Sequence, residues 1–137
     1  MFYLFKPRLV IIGTIAWIAA TAALRFSGGK LLRPDESLRT IALYAISFAL
    51  MAWVGRRVCQ AAKLQRSDWP AGAISVMLPT LLLDPFSSAF FPVVFPNFAP
   101  DAAGLFGGWM LISCAGALIG VTIGSEGHEK TAQSAGR

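Results

Sequence analysis

The chain alternates long apolar stretches with short polar ones. The apolar stretches cover residues 9–26, 40–58, 70–91 and 103–124, and the segments between them collect glycine, proline and charged residues. A helix needs about 20 mainly apolar residues to cross a hydrocarbon core that is roughly 30 Å thick. The pattern therefore predicts an all-α polytopic transmembrane bundle of about four spans within residues 1–124, followed by a polar, flexible tail over 125–137.

The first run resembles a signal peptide in one respect, because Lys6 and Arg8 precede it and small residues lie near its end. Trp17 inside the run, and Arg25 at its end in place of a polar cleavage region, favour a membrane span. The run is slightly short for a bilayer. Snorkelling of Arg8 and Arg25 towards the interface supplies the remaining length.

The third run is unusual because Asp84 and Pro85 interrupt it. Four prolines lie between Pro85 and Pro100, and one regular helix does not accommodate them. We expect the third helix to break at Leu83 or Asp84 and to be followed by a short second helix and an irregular segment along the membrane surface. If this run failed to cross, the C-terminus would lie on the other side of the membrane.

Composition agrees with a membrane location. Hydrophobic residues make up 55% of the chain and charged residues 14%, and the mean hydropathy is +0.61. Soluble domains contain about a quarter charged residues, so this chain carries too few for a surface in water. The net charge of +5 does not indicate nucleic-acid binding, because the basic residues bracket apolar runs and form no stripe with interleaved aromatic residues.

The basic residues indicate orientation instead. With the N-terminus inside, eight lysines and arginines lie on the cytoplasmic side and four on the outer side. The positive-inside rule therefore predicts a multi-pass protein of the inner (plasma) membrane with both termini in the cytoplasm. Four of these residues are also candidate contacts for anionic lipid head groups: Arg56, Arg57, Lys63 and Arg66.

Asp84 is the main candidate for a functional residue. It follows the interfacial Trp69 by fifteen residues, which places it about 22 Å across the membrane on a helix. An ionisable side chain at that depth is a candidate ion or proton site. Two structural roles remain open, since Asp84 followed by Pro85 is typical of a helix N-cap, and Arg25 at the same side of the membrane is a possible salt-bridge partner.

Glycines in the last run predict a close helix contact. Gly116, Gly120 and Gly124 lie four residues apart on one helix face. Small residues at this spacing let helix backbones approach closely. We expect this face to pack within the chain, with a second subunit as the alternative.

Two short motifs resemble those of a known family. The first is a leucine, a proline, a short apolar run and an aspartate, from Leu78 to Asp84, and the second is Phe95, Pro96 and Asn97. The chain in this respect resembles an uncharacterised family of small four-span bacterial inner-membrane proteins, known only as a domain of unknown function. The resemblance implies a four-span membrane protein over nearly the whole chain. It also implies that Pro96 and Asn97 belong with Asp84 in one family pattern. It brings no activity and no catalytic residue.

Nothing in the sequence specifies a reaction or a cofactor. His128 is the only histidine and lies in the polar tail, and the few acidic residues form no catalytic pair. We therefore expect a protein without catalytic activity or cofactor, acting as an accessory or assembly subunit that packs with itself or with a larger membrane complex. The alternative is a small transporter or channel component with Asp84 in the pathway.

Overall fold

The computed structural model describes residues 6–123, which form helices and short turns without any strand. The helices are α1 (Pro7–Ser27), α2 (Ser37–Ala61), α3 (Trp69–Ala89), the single turn α4 (Phe91–Val94) and α5 (Ala103–Ile123). The four long helices are each long and apolar enough to cross a bilayer. The predicted all-α fold with four spans is therefore confirmed, and the chain is a multi-pass membrane protein. The predicted tail, with His128, and Gly124 lie outside the described residues.

Short connections make the long helices alternate in direction, so the bundle has two distinct ends. The basic end is the one where α1 and α3 begin and where α2 and α5 end, and we define it by its cations: Lys6, Arg8, Arg56, Arg57, Lys63 and Arg66. We call the opposite end the aromatic end and define it by four buried rings: Phe91, Phe95, Phe98 and Phe106.

The four long helices are arranged with α3 and α5 at the centre. Helix α1 packs on α3, α3 packs on α5, and α5 packs on α2. The outer helices α1 and α2 expose most of their apolar side chains, including Ile11 and Ile15 on α1 and Ile41 and Leu50 on α2. These exposed apolar faces fit contact with the lipid bilayer.

Glycines allow the central packing to be tight. On α5, a Cβ added at Gly116 would overlap the backbone carbonyl of Phe48, and one added at Gly120 would lie 2.5 Å from Cα of Ala52. Both neighbours belong to α2. The glycine face of α5 is thus occupied by another helix of the same chain at Gly116 and Gly120.

The aromatic end is closed by the segment after α3. Phe95 is fully buried, and its ring centroid lies 5.3 Å from that of Phe91 and 4.9 Å from that of Phe106. Leu32, from the connection between α1 and α2, packs into the same cluster. Aromatic side chains bury a large apolar area each, so this cluster holds residues 90–102 against the helix ends.

The third span differs from the sequence-based expectation. Helix α3 continues through Pro79 and Pro85 and ends at Ala89, so it does not break at Leu83 or Asp84. Proline removes one backbone hydrogen bond, but neighbouring helices in membranes compensate for that loss. The short helix expected after the break is present as α4. The break that separates it from α3 lies at Phe90.

Candidate functional site

Asp84 lies inside the bundle, in the second half of α3. Only 7% of its surface is exposed. Its Oδ1 accepts a hydrogen bond of 2.8 Å from the indole Nε1 of Trp17 on α1. Its Oδ2 is also buried and has no hydrogen-bond partner among the described residues. Asp84 is the one residue of that part of the chain with such a side-chain atom, and buried polar atoms in native proteins are usually paired.

Two structural roles expected for Asp84 are wrong. It is not a helix N-cap, because α3 begins fifteen residues earlier at Trp69 and continues past it. It does not pair with Arg25 either. The Arg25 guanidinium instead donates from Nη1 to the carbonyl oxygens of Val93 and Val94, at 3.1 and 2.8 Å. The segment after α3 folds back over the end of α1 and supplies these acceptors.

Asn97 lies near Arg25 and apart from Asp84. Its Nδ2 donates a 3.2 Å hydrogen bond to the carbonyl oxygen of Leu24. A Cβ added at Gly29 would overlap the Asn97 carbonyl, so the backbones also meet closely there. Asn97 and Arg25 together fasten the segment after α3 to the end of α1. The candidate polar site therefore divides into an intramembrane carboxylate and a separate structural contact at the aromatic end.

A pocket of about 220 Å³ lies between α3 and α5, and Asp84 forms part of its wall. Each helix contributes a single face with residues at helical spacing. The lining residues are Leu81, Asp84, Pro85 and Ser88 from α3, and Gly107, Met110, Leu111 and Cys114 from α5.

The pocket opens sideways, towards the position of the lipid. Leu81 and Leu111 at its edge are 40% and 66% exposed on the outer surface of the bundle. Gly107 leaves space opposite Ser88, since a Cβ placed there would still lie 3.6 Å from the Ser88 hydroxyl oxygen. The outer side of the pocket is therefore formed by side chains on the apolar surface of the bundle.

The chemistry of this pocket is that of a hydrogen-bond acceptor in an apolar setting. Asp84 is the only ionisable carboxyl in the lining, and Ser88 and Cys114 add a hydroxyl and a thiol. Pro85 has no N–H, so the carbonyl of Leu81 lacks its usual helical donor. A proton, a small cation or a donor group suits such a site, whereas an anion does not.

The four predicted lipid contacts occupy different surroundings. Arg56 donates from Nε to the carbonyl oxygen of Gly120 at 2.6 Å, which ties α2 to α5. Arg57 lies 5.2 Å from the ring of Trp53, and Arg66 lies 4.1 Å from the ring of Trp69. Lys63 is different again, because it lines a cleft at the basic end together with Lys6 and Arg8.

Trp17 belongs to the candidate site and was not predicted from the sequence. It contributes the hydrogen bond that orients Asp84. The available signal was an indole N–H in the middle of an apolar run, about 15 Å from the start of α1, at a depth where it needs an acceptor. In the sequence Lys6 indicates only orientation, yet its Nζ forms a 3.0 Å ion pair with Asp68.

Comparison with known proteins places the chain in one family. The model of the "Family of unknown function (DUF5367)" matches residues 31–127, which is well over half of the chain. The matched region includes α2 to α5 and the whole stretch from Leu78 to Asn97 on which the sequence resemblance rested. No curated protein and no solved structure matches the chain.

Proposed function

We propose that this chain, which belongs to the DUF5367 family of unknown function, is a non-catalytic transport component of the bacterial inner membrane. The geometry of Asp84 suggests that the protein binds a proton or a small cation. The observation that carries this proposal is that Asp84 lines a pocket while its buried Oδ2 has no hydrogen-bond partner within residues 6–123. Such a carboxylate is costly in a membrane and is typical of ion and proton pathways.

Two features distinguish this proposal from an accessory or assembly role. The glycine face of α5, for which a second subunit was the alternative partner, packs on α2 at Gly116 and Gly120. Asp84 also lines a pocket between α3 and α5, which an accessory role does not require. Purification in mild detergent tests the accessory role, and recovery of a stable partner-free protein that still moves cations supports transport.

We propose that the protein is oriented in the membrane with its basic end in the cytoplasm. Between residues 6 and 123, that end carries six lysines and arginines, whereas the aromatic end carries four, at Arg25, Lys30, Arg33 and Arg39. Positive charge is retained on the cytoplasmic side during insertion. With both native cysteines replaced, Asp101→Cys should react with an impermeant maleimide in intact cells, and Gln65→Cys should react only after permeabilisation.

Flux measurements test the transport proposal. Purified protein is reconstituted into liposomes containing a pH-sensitive dye, a potassium diffusion potential is imposed with valinomycin, and entry of protons is followed. Parallel liposomes are used for radiolabelled methylammonium. We expect entry of at least one of the two, and loss of that entry in Asp84→Asn.

The matched control is Thr14→Val, which removes another polar group within the membrane. The Thr14 hydroxyl bonds only to the Val10 carbonyl of its own helix and does not line the pocket. Asp84→Asn keeps an oxygen that can accept the Trp17 N–H, so its fold should survive. Equal flux in wild type and Asp84→Asn for both probes would contradict the proposed function.

A further inference from the structure

We propose that the basic end contains a specific binding site for the phosphate group of an anionic phospholipid, in the cleft between the start of α1 and the end of α2. This site is separate from the Asp84 pocket and does not depend on transport. It rests on the shape of the cleft, on its cations and on the backbone conformation of Lys63.

The cleft exists because α1 and α2 pack on the two central helices and leave space between their ends at the basic end. It has a volume of about 510 Å³. Its wall combines cations with apolar side chains, and the residues that matter are Lys6, Arg8, Leu9, Ile12, Lys63 and Leu64.

The cations lie where a phospholipid head group would lie. Pro7 begins α1 and Ala61 ends α2, so the cleft is at the boundary of two membrane spans. Ile12, half exposed, continues the wall towards the membrane interior, where an acyl chain would run. A site with charge at the head-group level and an apolar wall below suits a lipid phosphate better than free phosphate.

Lys6 is held in position by two contacts. Its backbone N–H donates to the Ser75 hydroxyl oxygen at 3.0 Å, and its Nζ pairs with Asp68 at 3.0 Å. Asp68 offsets only one of the three cations. Arg8 and Lys63 make no ion pair within the described part of the chain, so the cleft retains an excess of positive charge.

Lys63 provides an independent indication. Its φ is +52°, and it is the one non-glycine residue with positive φ among those that the structure describes. It follows the C-cap residue of α2 in a Schellman arrangement, with the Leu64 N–H donating to the Cys59 carbonyl at 3.1 Å. Glycine is the usual residue at this position because it has no Cβ. A lysine at this position has an unfavourable backbone conformation. In that conformation, Lys63 contributes a cation to the wall of the cleft.

This conformation allows an unusually clean test. Lys63→Gly removes the cation while supplying the residue that the backbone prefers, so it should raise the thermal midpoint of the detergent-solubilised protein. Apparent dissociation constants for phosphatidylglycerol and for phosphatidylcholine with the same acyl chains are measured by native mass spectrometry. We expect wild type to prefer phosphatidylglycerol, and Lys63→Gly and Arg8→Gln each to weaken its binding about fivefold.

Arg57→Gln is the matched control, because Arg57 is exposed at the same end but lies on the ring of Trp53 and outside the cleft. It should change phosphatidylglycerol binding by less than about twofold. Equal losses in Arg57→Gln and Lys63→Gly would show a diffuse surface charge and overturn the proposal. Equal binding of the two lipids, or displacement of phosphatidylglycerol by an equal concentration of inorganic phosphate, would overturn it as well.

Discussion

The contact between α2 and α5 gives the sharpest prediction about stability, through Gly120→Ala. The added Cβ would lie 2.5 Å from Cα of Ala52, and ordinary van der Waals contact begins at 3.4 Å, so α2 has to move away by about 0.9 Å. The same movement would stretch the bond from Arg56 Nε to the Gly120 carbonyl from 2.6 Å to about 3.5 Å, the limit of a hydrogen bond.

The expected cost follows from these two effects. Overpacking of a tight contact costs about 1–3 kcal/mol, and the loss of one hydrogen bond costs about 0.5–1.5 kcal/mol. Alanine returns up to about 1 kcal/mol through its higher helix propensity. We therefore expect Gly120→Ala to lower the free energy of unfolding by about 0.5–4.5 kcal/mol.

The assay is reversible unfolding in mixed micelles with increasing sodium dodecyl sulfate, followed by circular dichroism. Gly104→Ala is the control, because a Cβ at Gly104 would have nothing within 4 Å. That variant should be neutral or slightly stabilising. Equal destabilisation of both variants, or an unchanged Gly120→Ala protein, would refute the close contact between α2 and α5.

Three further predictions concern other contacts. Trp17→Phe and Asp84→Ala each leave a buried polar group unpaired. The double variant should therefore lose about 0.6–1.7 kcal/mol less free energy of unfolding than the sum of the two single losses. Strict additivity would contradict the hydrogen bond between them. Asn97→Ala removes a hydrogen-bond donor to the end of α1. It should speed amide hydrogen exchange in the segment after α3 and leave the exchange of α5 unchanged. Unchanged exchange in that segment would contradict a stabilising role of this hydrogen bond. Phe95→Ala should lower the free energy of unfolding by about 3–5 kcal/mol in the same micelle titration. The Phe90 side chain is 61% exposed, so Phe90→Ala should change that free energy by less than about 0.5 kcal/mol. Similar losses in the two variants would contradict the aromatic cluster.

The helices could be predicted from sequence because the bilayer imposes a length and an apolar composition on each span. The predicted and observed ends differ by only a few residues, as for α1 at Pro7–Ser27 against residues 9–26. The continuation of α3 through Pro85 could not be predicted in the same way. It depends on packing against α1 and α5, which compensates for the hydrogen bond that proline removes.

The site was predictable only in part. An aspartate in an apolar run identifies Asp84 without any structure, since its cost in the membrane is a property of the residue. Its partner depends on how α1 and α3 are rotated about their axes, which their broad apolar surfaces do not specify. Depth alone suggested Arg25, but the segment after α3 lies over the end of α1 and supplies Arg25 with backbone acceptors.

Access from the bilayer to Asp84 is tested most directly by dicyclohexylcarbodiimide, a lipophilic reagent that forms covalent adducts with carboxyl groups. Membranes containing the protein are treated with it, and modified peptides are identified by mass spectrometry. We expect an adduct on Asp84 that is lost in Asp84→Asn and slowed in Leu111→Trp, where the larger side chain covers the opening of the pocket. A water-soluble carbodiimide should instead modify exposed acids such as Asp101. An Asp84 that remains unmodified by the lipophilic reagent, or one that reacts equally in Leu111→Trp, would contradict a pocket that connects this carboxylate to the membrane.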